Sequence, residues 1–300
     1  MKKIVAILKV LLSLPLFTLN LIAKIYSALL GLLSKNLENY WNQKHIEKNN
    51  SLIQTISHTN SSNKYINLKI FIPNWICKFR AETFSTKEPE TLSWIDNQPK
   101  NGVFFDIGAN IGLYSLYYAS VKKGNVYAFE PSVFNLELLA KNIYINKLQN
   151  KIHIISNPLT QENHFSDFNL SSTEKGGALS SFGVDYGFDG KRMDKVLSYK
   201  TLGFSLDYLL EKKIIPEVPT LIKMDVDGIE HLILAGAKKT LKNAKCKTVL
   251  IEVNDNFESQ RRAITAILRK SGFSCSQKEQ SKIIKKSKFE PVYNQIWVKN

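Results

Sequence analysis

The chain has 300 residues, 44% hydrophobic and 22% charged, which is ample for a packed core and excludes a disordered or fibrous chain. Its three cysteines, Cys77, Cys246 and Cys275, form no C-x-x-C pair; that excludes a zinc ribbon or a disulfide framework and fits a reducing compartment. The formal charge of +15 favours anionic partners, whether lipid, acidic substrate or nucleic acid, and says nothing of the fold.

Residues 1–36, opening "MKKIVAILKVLLSLPLFTLNLIAKIYSALLGLLSK", are nearly all apolar. They have the basic start and hydrophobic run of a secretory signal but no small-x-small cleavage site. Lys9 and Lys24 bracket fourteen uncharged residues, short of the roughly 20 a membrane span needs unless both lysines snorkel. A third reading comes from Lys2, Lys9, Ser13, Asn20, Lys24, Ser27 and Gly31, whose spacing keeps them on one narrow helical face. The broad apolar remainder suits a helix lying in a membrane interface, bent at Pro15. The expectation is an amphipathic helix that holds a cytoplasmic protein at an anionic membrane surface.

Residues 37–84 read as a polar linker and cap region, with "YINLKIFIPN" as a strand. "STKEPETLSWIDNQPKNG" reads as a helix capped by Ser85 or Thr86 and closed by Gly102. From there apolar runs alternate with helical patterns: "GVFFDI", "NVYAFEP", "KIHIIS", "PTLIKMDVDG" and "KTVLIEVN" as strands, with amphipathic helices between them. The order implies an α/β domain over 85–300, a doubly wound, mostly parallel sheet with helices on both faces. "FSCSQ" and "NQIWVK" close it as an antiparallel edge pair. The glycine-rich "EKGGALSSFGVDYGFDGK" is left as a long irregular segment, either a lid over an acceptor or an insertion. The lysine- and arginine-rich stretch after residue 260 reads as a solvated hairpin or a patch for anionic lipid or a charged glycan. It lacks the aromatic-glycine signature of an RNA-binding module, so no nucleic acid partner is expected.

"VFFDIGANIGLYS" places Asp106, Gly108, Asn110 and Gly112 between a strand and a helix, where ligands of such sheets sit. The glycines let backbone approach a ligand, and the helix offers its N-terminus. Asn110 stands where the dinucleotide fingerprint has its middle glycine, and no G-K-[ST] follows, so neither pyrophosphate-binding loop fits. Asp106 can meet an ammonium or organise the turn. Glu130, at the tip of the next strand, can accept both hydroxyls of a ribose. Together they describe S-adenosylmethionine better than a nicotinamide dinucleotide.

At these residues the chain resembles the FkbM family of S-adenosylmethionine-dependent methyltransferases. "FFDIGANIGLYS", "AFEPSVFNLELLAKN" and "LIKMDVDGIEHLILAG" are similar to three ordered motifs of that family, over about Glu88 to Asn254. The resemblance implies a class I methyltransferase fold, Rossmann-like and seven-stranded with the last strand antiparallel. It also implies an O-methyltransferase, in a family whose acceptors include sugar and macrolide hydroxyls; the acceptor expected here is a hydroxyl of a sugar, glycan or lipid-linked glycan. It assigns the cofactor to Asp106, Gly108, Asn110, Gly112 and Glu130; Ser156, closing "KIHIIS", is placed with them. Position 227 is Asp where the family more often has Glu.

A hydroxyl acceptor needs a base as its oxygen attacks. Asp225 is the first candidate, with Glu230 and His231 behind it. For His231 the alternative is helix packing, and for Asp227 a helix cap. No metal is expected, although Glu252, Asn254 and Asp255 could hold a divalent ion with Asp225. Phe104, Phe105, Tyr114 and Tyr118 read as core. The rival functions are methylation of RNA or protein, or a nucleotide-cofactor oxidoreductase; the absence of [ND]-P-P-[YF] after the fourth strand argues against methylation of a base amine.

Overall fold

The computed structural model describes residues 2–281 and 287–299, in two compact units, Met1–Leu52 and Ile53–Asn300. In the first, helix α1 (Lys2–Leu33) runs without interruption past Pro15 and is followed by α2 (Lys35–Asn50). The two helices meet through the Tyr26 and Trp41 rings and a Ser27–Asn42 hydrogen bond of 2.9 Å. Among the described residues no helix is long and apolar enough to cross a membrane, so the spanning reading of this segment finds no support.

The second unit opens with the hairpin β1 (Ile53–Thr59) and β2 (Tyr65–Phe71) and the helices α3 (Trp75–Glu82) and α4 (Phe84–Lys87). Residues expected as linker are thus ordered elements. The capped helix expected from Ser85 is α5 (Pro89–Asp96), which starts later because Pro89 supplies the preset backbone angle of a first helical turn.

Then come β3 (Val103–Ile107), α6 (Leu113–Lys122), β4 (Asn125–Phe129), α7 (Val133–Ile145) and β5 (Ile152–Ile155). After an inserted sheet follow α8 (Leu206–Glu211), β9 (Leu221–Met224), α9 (Glu230–Ala235), α10 (Lys238–Lys242), β10 (Thr248–Asn254), α11 (Glu258–Lys270), β11 (Phe273–Glu279) and β12 (Val292–Lys299). The seven-stranded sheet has the order β11-β12-β10-β9-β3-β4-β5. Its strands are parallel except β12, which is antiparallel to both β10 and β11.

Side-chain alternation along these strands builds two cores. Phe104, Val126, Ala128, Leu221 and Leu250 pack with Leu92 of α5, Leu116 of α6 and Leu138 of α7. Phe105, Tyr127, Phe129, Ile222 and Ile251 pack with Leu206 of α8, Ile233 of α9 and Leu268 of α11. This is why the central runs read as almost continuously apolar: β3, β4, β9 and β10 are buried on both faces. Burial of that many aromatic and branched side chains is the main stabilising term.

The structure departs from the sequence reading in two places. The expected helix "IEHLILAGAKKTLKN" is broken into α9 and α10 at Gly236, where a Cβ would lie 2.3 Å from the Thr160 carbonyl oxygen. The segment expected to be irregular contributes β7 (Ser180–Phe182) to a three-stranded antiparallel sheet, β7-β6-β8, whose other strands β6 (His164–Leu170) and β8 (Leu197–Gly203) flank it in the chain.

Candidate active site

The chain turns from β3 to β4 on one side of the sheet and to β9 on the other, so the strand order reverses at β3 and a crevice opens beyond its carboxyl end. A cavity of about 620 Å³ lies there, of the size that takes a ligand of several hundred daltons. Of the nine residues expected at the site, Gly108, Asn110, Glu130 and Asp225 line it.

Gly108 begins the loop with φ +85°, and the Asp225 carbonyl oxygen packs where its Cβ would be. The tips of β3 and β9 therefore touch through bare backbone. Glu130 reaches back under the loop: one carboxylate oxygen accepts the Asn110 N–H and the other the Ser132 N–H, both at 2.8 Å. Burial pushes its carboxyl up to about 7, against the pull of those N–H groups. Each oxygen keeps a lone pair for the cavity.

Two residues expected to hold the cofactor sit behind the wall. Asp106 is buried beneath the loop, where it accepts a 2.6 Å hydrogen bond from Ser115 Oγ and joins β3 to α6. Burial pushes its pKa up, and Lys223 pulls the other way. Gly112 starts α6 against Leu139. Ser156 is exposed and outside the cavity; Asn157, Pro158 and Leu159, immediately after it, form that part of the wall.

The far end of the cavity is ionic. Lys223, 1% exposed, donates from Nζ to Asp225 Oδ2 at 2.9 Å and lies 5.1 Å from the Tyr114 ring centre. Tyr114 donates its hydroxyl to Glu88 at 2.9 Å, and Glu88 pairs with Lys87 at 2.7 Å. Burial raises Glu88, yet Lys87 and Lys223 outweigh it and hold the carboxyl down at about 2. Burial likewise opposes the Lys223 charge, but Asp225, Glu88 and Asp106 keep its ammonium well above the ordinary lysine range. Sequence reasoning gave no part in the site to Glu88 or Tyr114, because only the fold brings α4, α5 and α6 over the tip of β9.

Asp227 does not cap a helix. Its backbone is left-handed, and its carboxylate accepts the Leu179 N–H at 2.7 Å, fastening the segment that roofs the cavity. Burial, then the Asp225 charge, pushes it up to about 6. Glu252, in the same wall, is raised well above the ordinary range by burial and by Asp225 and Asp227. Carboxylate oxygens of Asp225, Asp227 and Glu252 lie within 4.8 Å of one another, close enough to share a proton or a cation. Asn254 and Asp255 do not join them, being bonded to the Phe188 carbonyl and to Lys278.

Glu230 and His231 stand outside the cavity wall. Glu230 is buried, accepting from the Val226 and Gly228 N–H groups and from Gln260. His231 packs edge-on against Phe257. Burial pushes Glu230 up to about 8 from its ordinary 4.5. The folded chain thus keeps a proton there that the unfolded chain releases above pH 4.5, so stability falls as pH rises through this window and the full cost stands above pH 8. Glu230→Gln is expected to flatten this decline, recovering on the order of 3 kcal/mol at pH 9 relative to wild type. Urea denaturation at pH 6 and 9 checks it; an unchanged slope in the variant would sink the assignment.

A sequence search finds no match among curated proteins. Among solved structures the chain is similar to a methyltransferase FkbM from Methylobacillus flagellatus KT, at 16% identity and a TM-score of 0.47, covering 74% of this chain and 52% of that one. The chain thus spans about half the length of that relative. An rRNA methylase from Streptococcus thermophilus matches at 12% identity and a TM-score of 0.42, covering 68% of this chain and 90% of that one. A Methanococcus jannaschii fibrillarin pre-rRNA processing protein matches at 14% identity and a TM-score of 0.40, covering 67% of each chain. The Methyltransferase FkbM domain matches residues 106–275, more than half of the sequence, from the buried acid of β3 to the start of β11. The chain belongs to the FkbM family of S-adenosylmethionine-dependent methyltransferases.

Proposed function

We propose that the chain transfers a methyl group from S-adenosylmethionine to a hydroxyl of a sugar, glycan or lipid-linked glycan. The observation that carries this reading is the division of one cavity into two ends. At one end Glu130, the Gly108–Asn110 backbone and Asn157–Leu159 surround a space suited to a nucleoside with an amino-acid tail. At the other, Phe84, Tyr114, Phe289 and Tyr293 stand with Asp225, Glu252 and Asn294, the mix of flat apolar faces and hydrogen-bonding groups that a sugar ring uses.

The spare lone pairs of Glu130 fit the two ribose hydroxyls, and the bare Gly108 backbone leaves room for the amino-acid tail. When bound, the sulfonium supplies an electrophilic methyl group. The chain's own tasks are alignment and proton removal. The acceptor hydroxyl releases its proton to the Asp225 carboxylate, which Lys223 holds by one oxygen so that the other faces the cavity. RNA is the weaker acceptor: among the described residues the wall carries the carboxylates Glu88, Glu130, Asp225, Asp227 and Glu252 against the cations Arg80, Lys87 and Lys223, a poor field for a phosphate backbone.

Incubation with methyl-labelled S-adenosylmethionine, cell-envelope extract and total RNA in parallel tests the reading. Label is expected in the glycan-containing fraction, released as an O-methyl sugar on acid hydrolysis. Label confined to RNA or protein would overturn the choice of acceptor.

A further inference from the structure

Among the described residues the cavity wall holds three cations, and two of them are matched: Lys87 by Glu88 and Lys223 by Asp225. The third, Arg80, has no carboxylate within ion-pair distance among the described residues. It rises from α3, partly buried, and its Nε donates to the Gly176 carbonyl at 2.8 Å. That bond fixes where the guanidinium stands. The next carbonyl, Gly177, accepts from Asn110 at 2.7 Å and from Asn135 at 3.1 Å, so Arg80 is anchored one peptide away from the β3–α6 loop. Its charge acts on Glu130 and Asp227 of the same wall. Arg80 also precedes the matched family domain, which begins at residue 106.

We infer that Arg80 binds the carboxylate of the cofactor's amino-acid tail through the guanidinium face left free by its bond to Gly176. An arginine held at Nε presents its terminal nitrogens as a fixed pair of donors, and a carboxylate is the anion whose two oxygens match that spacing. The inference rests on the methyltransferase reading, which supplies the ligand; among the described residues Arg80 is the cation of the wall left without a carboxylate to meet that group.

Calorimetry of the full chain with two probes tests this. S-Adenosylhomocysteine carries the amino-acid tail, and 5′-methylthioadenosine carries the same nucleoside without it. Arg80→Gln is expected to weaken S-adenosylhomocysteine by ~10- to 100-fold, the range for a hydrogen bond to a charged group, and to leave methylthioadenosine within about 3-fold of wild type, below that range. Arg80→Lys, which keeps charge but loses the paired geometry, is expected to fall between. Retained methylthioadenosine binding also shows that the variant is folded. Equal weakening of both probes would make Arg80 only a prop for the roof, and unchanged S-adenosylhomocysteine affinity would remove it from the tail; either result overturns the inference. A wild-type chain that binds neither probe would instead remove the methyltransferase reading, and the inference with it.

Discussion

Lys223→Met is expected to destabilise the chain by about 3–5 kcal/mol near neutral pH, the range for removing one partner of a buried charge pair. Lys223 is the positive charge beneath the reactive end of the cavity: it bonds Asp225, and its field lowers the pKa of Asp106 and Glu88. Methionine fills much the same volume without the charge, leaving those acids in a low-dielectric setting with Asp225 unpaired. The sign of the pH dependence follows. Without Lys223 the folded-state pKa values of Asp106 and Glu88 rise, so the folded state holds protons that the unfolded state has lost. Stability then falls as pH increases above the ordinary carboxylate range, and the deficit is smallest near pH 4–5 and largest above pH 7. Urea denaturation of wild type and variant at pH 5 and 8 reads this directly. A deficit under about 1 kcal/mol at pH 8, the scale of an exposed ion pair, would mean that Lys223 does not carry the charge balance of the site.

Gly108→Ala should be nearly as costly, for steric reasons. A Cβ there would lie 1.9 Å from the Asp225 carbonyl oxygen and 2.9 Å from its carbon, on a backbone at φ +85°. The obstacle is main chain held in the sheet by the Asp225 N–H to Ile107 carbonyl bond of 3.0 Å, so neither side can yield cheaply. A loss of about 3 kcal/mol is expected from left-handed strain and forced separation of the two strand tips. Because the same tips bear the loop and the Asp225 carboxylate, S-adenosylhomocysteine affinity should also fall by at least ~10-fold, about 1.4 kcal/mol. Denaturation and calorimetry on the same preparation check both; an alanine variant with wild-type stability would contradict the close contact between β3 and β9.

The parallel sheet was readable because its signal is local. β3, β4, β5, β9 and β10 are each a short apolar run, and the turn chemistry at Gly108 and Glu130 follows strand ends directly. What the sequence hid depends on long-range approach. Arg80 and Glu88 reach the cavity from α3 and the α4–α5 junction, and Phe289 and Tyr293 from beyond β11; nothing in their neighbours marks them. Gly236 looks like an ordinary helix glycine until the Thr160 backbone is seen against it. Glu230 and His231 were expected at the site because they follow Asp225 closely along the chain. The turn at Asp227 and Gly228 instead carries Glu230 under the loop and His231 toward Phe257. The inserted sheet escaped because β6 and β8 mix polar residues among apolar ones, β7 is only three residues long, and β8 exposes much of its length to solvent.

The roof over the cavity has one more consequence. Residues 174–179 are stitched by Asn74 and Arg80 from above, by Asn110 and Asn135 beside the cofactor loop, and by Asp227 at the tip of β9. A ligand beneath them can leave only sideways or after several of these bonds part together. On the proposed reading, removing stitches is expected to shorten the residence time of the spent nucleoside, first as a faster off-rate.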